Sequence, residues 1–109
     1  MGWIKAICTA DIAAGECQGV ELNGIEIAIY NVDGRFHATS NMCTHQKAYL
    51  TEGYLDGEFI ECPLHQGRFN VITGAADGAP VTQPVRVFPI AVEGTDVLVD
   101  VDGESGAGA

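Results

Sequence analysis

The stretch ECPLHQGRF, Glu61 to Phe69, has a shorter counterpart upstream in MCTHQ, Met42 to Gln46. Each pairs one cysteine with one histidine inside a tight loop, in the spacings Cys-x-His and Cys-x-x-His. A thiolate and an imidazole so close in sequence can project from one loop into one pocket. Two such loops from neighbouring hairpins supply four ligands: Cys43, His45, Cys62 and His65. Gly67 permits close backbone approach, and Pro63 stiffens the loop. Zinc accepts two cysteines and two histidines, but its familiar modules group Cys with Cys and His with His. Mixed pairs suit a two-iron cluster in which one iron takes both thiolates and the other both imidazoles. The mixing favours iron–sulfur over structural zinc, and the spacing alone leaves both open, along with chance pairing.

Outward from these loops the chain alternates. Ile25, Ile27 and Ile29 fall on one face of a strand, with Glu26, Ala28 and Tyr30 on the other. Val97, Val99 and Val101 repeat the pattern against Leu98, Asp100 and Asp102. Asn23-Gly24, Asp33-Gly34, Asp56-Gly57 and Glu93-Gly94 read as hairpin turns, because such pairs supply the positive φ that a two-residue turn demands. Period-two runs between turns predict an all-β chain, an antiparallel sandwich or barrel. The predicted strands are Trp3–Cys8, Val20–Leu22, Ile25–Asn31, Phe36–Thr39, Phe59–Cys62, Arg68–Val71, Val85–Val92 and Val97–Asp102, with a helical turn at Asp11–Ala14. Asn41–Tyr54 and Thr73–Pro84 do not read as sheet, and the tail from residue 103 has nothing to bury and is expected to fray.

A chain of 109 residues makes one domain. Its 47% hydrophobic content is enough for a real core. The net charge of −10, from fifteen acidic and five basic residues, argues against nucleic-acid binding, which needs clustered cations. An acidic surface keeps the chain soluble and steers it toward basic patches on proteins. No targeting signal and no membrane-length apolar run is visible, so the expected compartment is the cytoplasm. There, cysteines point to metal or redox chemistry before disulfides.

The CTH of Cys43–His45 followed by CPLHQGRF resembles the signature of Rieske [2Fe–2S] proteins. With APVTQ at Ala79–Gln83, the sequence looks most like the small ferredoxin components of bacterial aromatic-ring dioxygenases, the naphthalene type in particular. The resemblance runs over roughly residues 3 to 102. It implies an antiparallel β-sandwich Rieske fold with a small cluster-binding subdomain at about residues 41–84. It also implies one [2Fe–2S] cluster, with Cys43 and Cys62 on one iron and His45 and His65 on the outer one. The implied function is single-electron transfer from an NAD(P)H-dependent flavoprotein reductase to a terminal aromatic-ring-hydroxylating oxygenase. Such a protein is a monomeric carrier and not an enzyme.

Other branches of the family fit less well. Respiratory members add two disulfide cysteines, where this chain has Gln46 and Leu64. Oxygenase subunits add a mononuclear iron site with two histidines, and only His37 is left to serve one. Gly67 and Phe69 stand where high-potential relatives place hydroxyl donors to the cluster, which implies a potential on the order of −150 mV. Many dioxygenase ferredoxins have Gly after CTH; Gln46 and Lys47 depart from that pattern and bear on docking. Two alternatives from other classes are a structural zinc-binding interaction module and a small Rieske-like subunit of a larger reductase complex. Of the remaining candidates, Cys8 reads as a small buried hydrophobe, Cys17 as an exposed thiol in a turn, and His37 as a strand residue.

Overall fold

The Asn23-Gly24 and Asp33-Gly34 turns are where the fold begins to be organised. In the computed structural model, which describes residues 2–42, 48–63, 67–77 and 83–102, both residues of each pair have positive φ. That is the type I′ pattern whose twist matches the flanking strands. The other two turns sit one residue further along than the sequence suggests. Asp56 pairs with Phe59 and Glu93 with Asp96, so Gly57-Glu58 and Gly94-Thr95 are the central residues. In each, only the leading glycine has positive φ, the type II′ pattern.

Among the described residues there are eleven strands: β1 (Trp3–Cys8), β2 (Cys17–Leu22), β3 (Ile25–Val32), β4 (Arg35–Ser40), β5 (Tyr54–Asp56), β6 (Phe59–Glu61), β7 (Arg68–Asn70), β8 (Ala76–Asp77), β9 (Val87–Phe88), β10 (Ile90–Glu93) and β11 (Asp96–Asp100). Short 3-10 turns occupy Thr9–Asp11 and Leu50–Glu52. The strands form three antiparallel sheets, in the orders β1-β11-β10, β2-β3-β4-β9 and β5-β6-β7-β8. The expected run Val85–Val92 is divided at Pro89, which has no N–H to give to a ladder. Before it β9 pairs with β4; after it β10 pairs with β11, so the chain changes sheets there.

β8 falls inside Thr73–Pro84, one of the two segments expected to lack sheet, and β5 begins at Tyr54, the last residue of the other. Both are short, and each exists only as an edge strand on β6 or β7. The helical turn lies at Thr9–Asp11, earlier than Asp11–Ala14, and Asp11 closes it by accepting from the Cys8 N–H at 2.9 Å.

The middle sheet has apolar packing on both faces. Ile27, Ile29 and Ala38 join Ile7, Ile12, Phe88, Val97, Val99 and Val101 in one buried cluster, which fills the space toward the β1-β11-β10 sheet. From the opposite face, Ala28 and Tyr30 join Leu50, Ile60, Cys62, Phe69, Val71 and Val85 beneath the small sheet. The alternation in Ile25–Tyr30 is therefore real, yet its second face is not a solvent face. A Tyr–Thr pair satisfies two of the polar groups that this arrangement buries: the Tyr30 hydroxyl lies 2.9 Å from Thr39 Oγ1, which itself donates to the Ser40 carbonyl.

Candidate metal centre

Of the four candidate ligands, the described residues include Cys62. Cys43, His45 and His65 lie outside them. Cys62 follows β6 directly and is buried, with 1% of its surface exposed. It packs in the apolar cluster with Tyr30, Leu50, Ile60 and Phe69. Its N–H donates to the Gly67 carbonyl at 2.7 Å, one step beyond the Glu61–Arg68 pair, which closes the second Cys/His loop at its base.

The first loop is closed in the same manner. Met42 and Tyr49 form an isolated antiparallel bridge, and the Leu50 N–H donates to the Asn41 carbonyl at 2.7 Å. Tyr54, Glu61, Arg68 and Asp77 are successive rungs at one end of the small sheet. The Cys62 loop and the segment after Asp77 both leave from that end. Gly53 brings the turn that follows the first loop against this end, because a Cβ there would overlap the Glu61 carbonyl oxygen and stand 3.1 Å from Pro63 Cδ.

Polar and charged groups frame this end. The Arg68 guanidinium donates to Asp77 at 2.6 Å and lies 4.7 Å from the centre of the Phe59 ring. Beside the first loop, a depression of about 460 Å³ is lined in its described part by Met42, Ala48, Tyr49 and Glu52. Met42, Tyr49 and Tyr54 are exposed, Tyr54 by 66%.

The remaining candidates sit elsewhere. His37 lies in β4 opposite Tyr30, beside a cleft lined by Arg35, Glu58 and Ile72, as expected of a strand residue. Burial, and after it the Arg35 charge, holds its pKa below the ordinary histidine value. Cys8 is half-buried at the end of β1, less enclosed than expected. Cys17 is no exposed turn thiol; it opens β2, is half-buried, and points Sγ at the Thr51 carbonyl 3.9 Å away. Burial, then Glu16, raises its pKa. Asn41 is a site residue that the sequence reading passed over. It is a polar side chain 3% exposed, and its place two residues before Cys43 was the available signal.

A buried cysteine at the base of one mixed Cys/His loop, with the other loop closed beside it, suits a cluster that takes two thiolates and two imidazoles. The family model for the Rieske [2Fe–2S] domain matches residues 2–89, and the chain belongs to that family. It carries one Rieske-type [2Fe–2S] cluster. Within the family its likeness is to ferredoxins. It is 48% identical over 99 residues to the naphthalene 1,2-dioxygenase system ferredoxin component of Pseudomonas putida, covering 91% of this chain and 95% of that protein. Among solved structures, the Sphingomonas yanoikuyae B1 ferredoxin superposes with a TM-score of 0.86 at 40% identity, covering 89% of this chain and 96% of that one. A chain in the complex of reduced oxygenase and oxidized ferredoxin of carbazole 1,9a-dioxygenase gives 0.87 at 41%, covering 91% and 93%. The protein is thus an electron carrier of the kind used in multicomponent dioxygenase systems, and not a catalytic oxygenase.

Proposed function

We propose that this ferredoxin takes single electrons from an NAD(P)H-dependent flavoprotein reductase and delivers them to a terminal aromatic-ring-hydroxylating oxygenase. Cys43 and Cys62 hold one iron of the cluster, and His45 and His65 hold the other. Residues 1–109 act as one domain in which about 41–84 form the cluster-binding part. The carrier works as a monomer in the cytoplasm; among the described residues no helix is long and apolar enough to cross a membrane.

The observations that carry this reading are the closures at the bases of the two Cys/His loops, Met42–Tyr49 and Cys62–Gly67, and the packing of Leu50 with Cys62 in one apolar cluster. When bound, the cluster supplies a reversible one-electron store. The chain's own residues supply the rest. Tyr30, Leu50, Ile60 and Phe69 keep water from Cys62 on its inner side. Met42, Tyr49 and Tyr54 offer apolar surface next to the loops, and Glu52 and Glu61 offer negative charge toward a basic partner. Small, charge-steered contacts of this kind allow two partners to be met in turn.

Visible absorption and low-temperature EPR before and after dithionite, with iron and sulfide analysis, test this reading. A brown protein with two irons and two sulfides, and an average g below that of an all-cysteine cluster, is the expected result. A colourless protein holding stoichiometric zinc would overturn it. A redox titration is expected to give a midpoint on the order of −150 mV, and a value well above zero would contradict the argument from Gly67 and Phe69.

A further inference from the structure

We propose that the Leu50–Glu52 turn is a latch that sets the two ligand-bearing loops relative to one another, and that Asn41 and Gly53 are its positioning residues. The proposal rests on the assignment of Cys43, His45, Cys62 and His65 as ligands.

A 3-10 turn begins with N–H groups that have no partner inside it. Tyr49, the residue before this one, offers no side-chain cap. Both leading donors are instead met by Asn41. Its carbonyl accepts from Leu50 N–H at 2.7 Å, and its Oδ1 accepts from Thr51 N–H at 3.0 Å. Its own N–H donates to the Glu26 carbonyl in β3 at 3.0 Å. One residue, placed two before Cys43, therefore ties the middle sheet, the start of the first loop and the turn that follows the loop.

Two glycines make this arrangement possible through space and not through conformation. A Cβ on Gly19 in β2 would lie 2.6 Å from Asn41 Nδ2 and 3.1 Å from Thr51 Oγ1. Gly53, whose φ is −92°, ends the turn with its N–H donating to the Leu50 carbonyl at 2.9 Å. A side chain there would meet Glu61 and Pro63, the residues on either side of Cys62. Leu50 itself is fully buried in the apolar cluster that holds Cys62. The turn is thus capped at one end by the residue that leads into the first loop and set against the second loop at the other.

If the turn only added stability, weakening it would act like any loss of packing. A latch has a different signature: it changes the cluster's environment at equal loss of stability. The experiment compares N41A, G53A and G19A with V97A, a truncation in the other core. Each holoprotein is assayed for melting temperature, for the EPR spectrum after dithionite, and for the rate at which a chelator bleaches the visible absorption. N41A and G53A are expected to shift the EPR g values and to bleach about ten-fold faster. V97A is expected to lose melting temperature without either change. G19A acts on Asn41 from the β2 side, so it should show a smaller shift in the same direction. The N41A/G19A double variant should bleach no faster than N41A alone, the non-additivity of two changes to one contact. Where N41A or G53A does not fold, G19A against V97A decides.

Variants that bleach and give EPR spectra like V97A at matched melting temperature would overturn the latch. In that event, a wild type with two irons and two sulfides, and C62S without them, would leave the ligand assignment standing. A wild type with no cluster would overturn both.

Discussion

The two buried clusters of this protein are built in different ways. The one formed by Ile27, Ile29, Phe88, Val97 and Val99 is aliphatic apart from a single ring and lies between sheets whose longest strands reach six and eight residues. Its registers are set by two-residue turns and long ladders, with one register shift in β1 between Lys5 and Ile7. The one around Cys62 lies under strands of two or three residues. It contains a thiol and a buried phenol; the connection into its first strand carries one Cys/His pair and the β6–β7 connection carries the other. Sheets of such short strands are weak on their own. The first cluster is expected to hold without the metal centre; the second is expected to depend on the bound iron–sulfur group and on the Leu50–Glu52 turn.

The sharpest way to separate the two is to remove the described ligand candidate. C62S is expected to abolish the visible absorption and the bound iron, while the far-UV β signal of the two larger sheets persists. Retention of the visible band would mean that Cys62 is not a ligand. Next comes truncation of the scaffold. Ile29→Ala is expected to lower the unfolding free energy by about 2–5 kcal/mol and leave the EPR spectrum of the folded protein unchanged; denaturant titration and EPR on one sample check both. An altered spectrum would show that the two clusters are not independent.

Tyr30→Phe probes the contact between the regions. It removes the hydroxyl that donates to Thr39 and is expected to cost about 1 kcal/mol, read from the denaturant midpoint. No change would mean that water replaces the bond. The smallest effect belongs to His37, on the rim of the same interface. Its folded pKa is depressed, chiefly by burial. The folded protein therefore binds that proton less readily than the unfolded chain, whose value is about 6.5. The associated stability is present above that pH and is lost as pH falls through the folded value. Relative to H37Q, the wild type is expected to lose melting temperature more steeply between about pH 7 and pH 5. Parallel curves for the two proteins would show that His37 contributes nothing.

Much of the scaffold was legible because local chemistry dictates it. β1 was read with its observed ends, and β3 within one residue, since β-branched residues at period two between Asn-Gly and Asp-Gly leave little choice. The turns at Gly57 and Gly94 were placed one residue early because Asp-Gly and Glu-Gly do not say whether glycine takes the first or the second central position. β5 and β8 were illegible: both are short edge strands that their partners alone make strands. Cys17 read as a turn residue because Gly15 and Gly19 flank it, yet its pairing with Tyr30 places it in β2.

At the metal centre, residue type and spacing announced the chemistry, because few functions need a thiol and an imidazole paired twice. Asn41 and Gly53 stayed hidden, since a buried amide and a crowded glycine look ordinary until their neighbours are known.

The sequence by itself determined the strand periodicity, the hairpin turns and the donor set, each of which depends on residues adjacent along the chain. Tertiary structure alone decided that Ala28 and Tyr30 face a second core, that the strand divided at Pro89 changes sheets, and that Asn41 caps a turn nine residues further on. Those outcomes follow from which surfaces meet in space, and a hydrogen bond or a buried face between distant residues leaves no periodic mark in either segment.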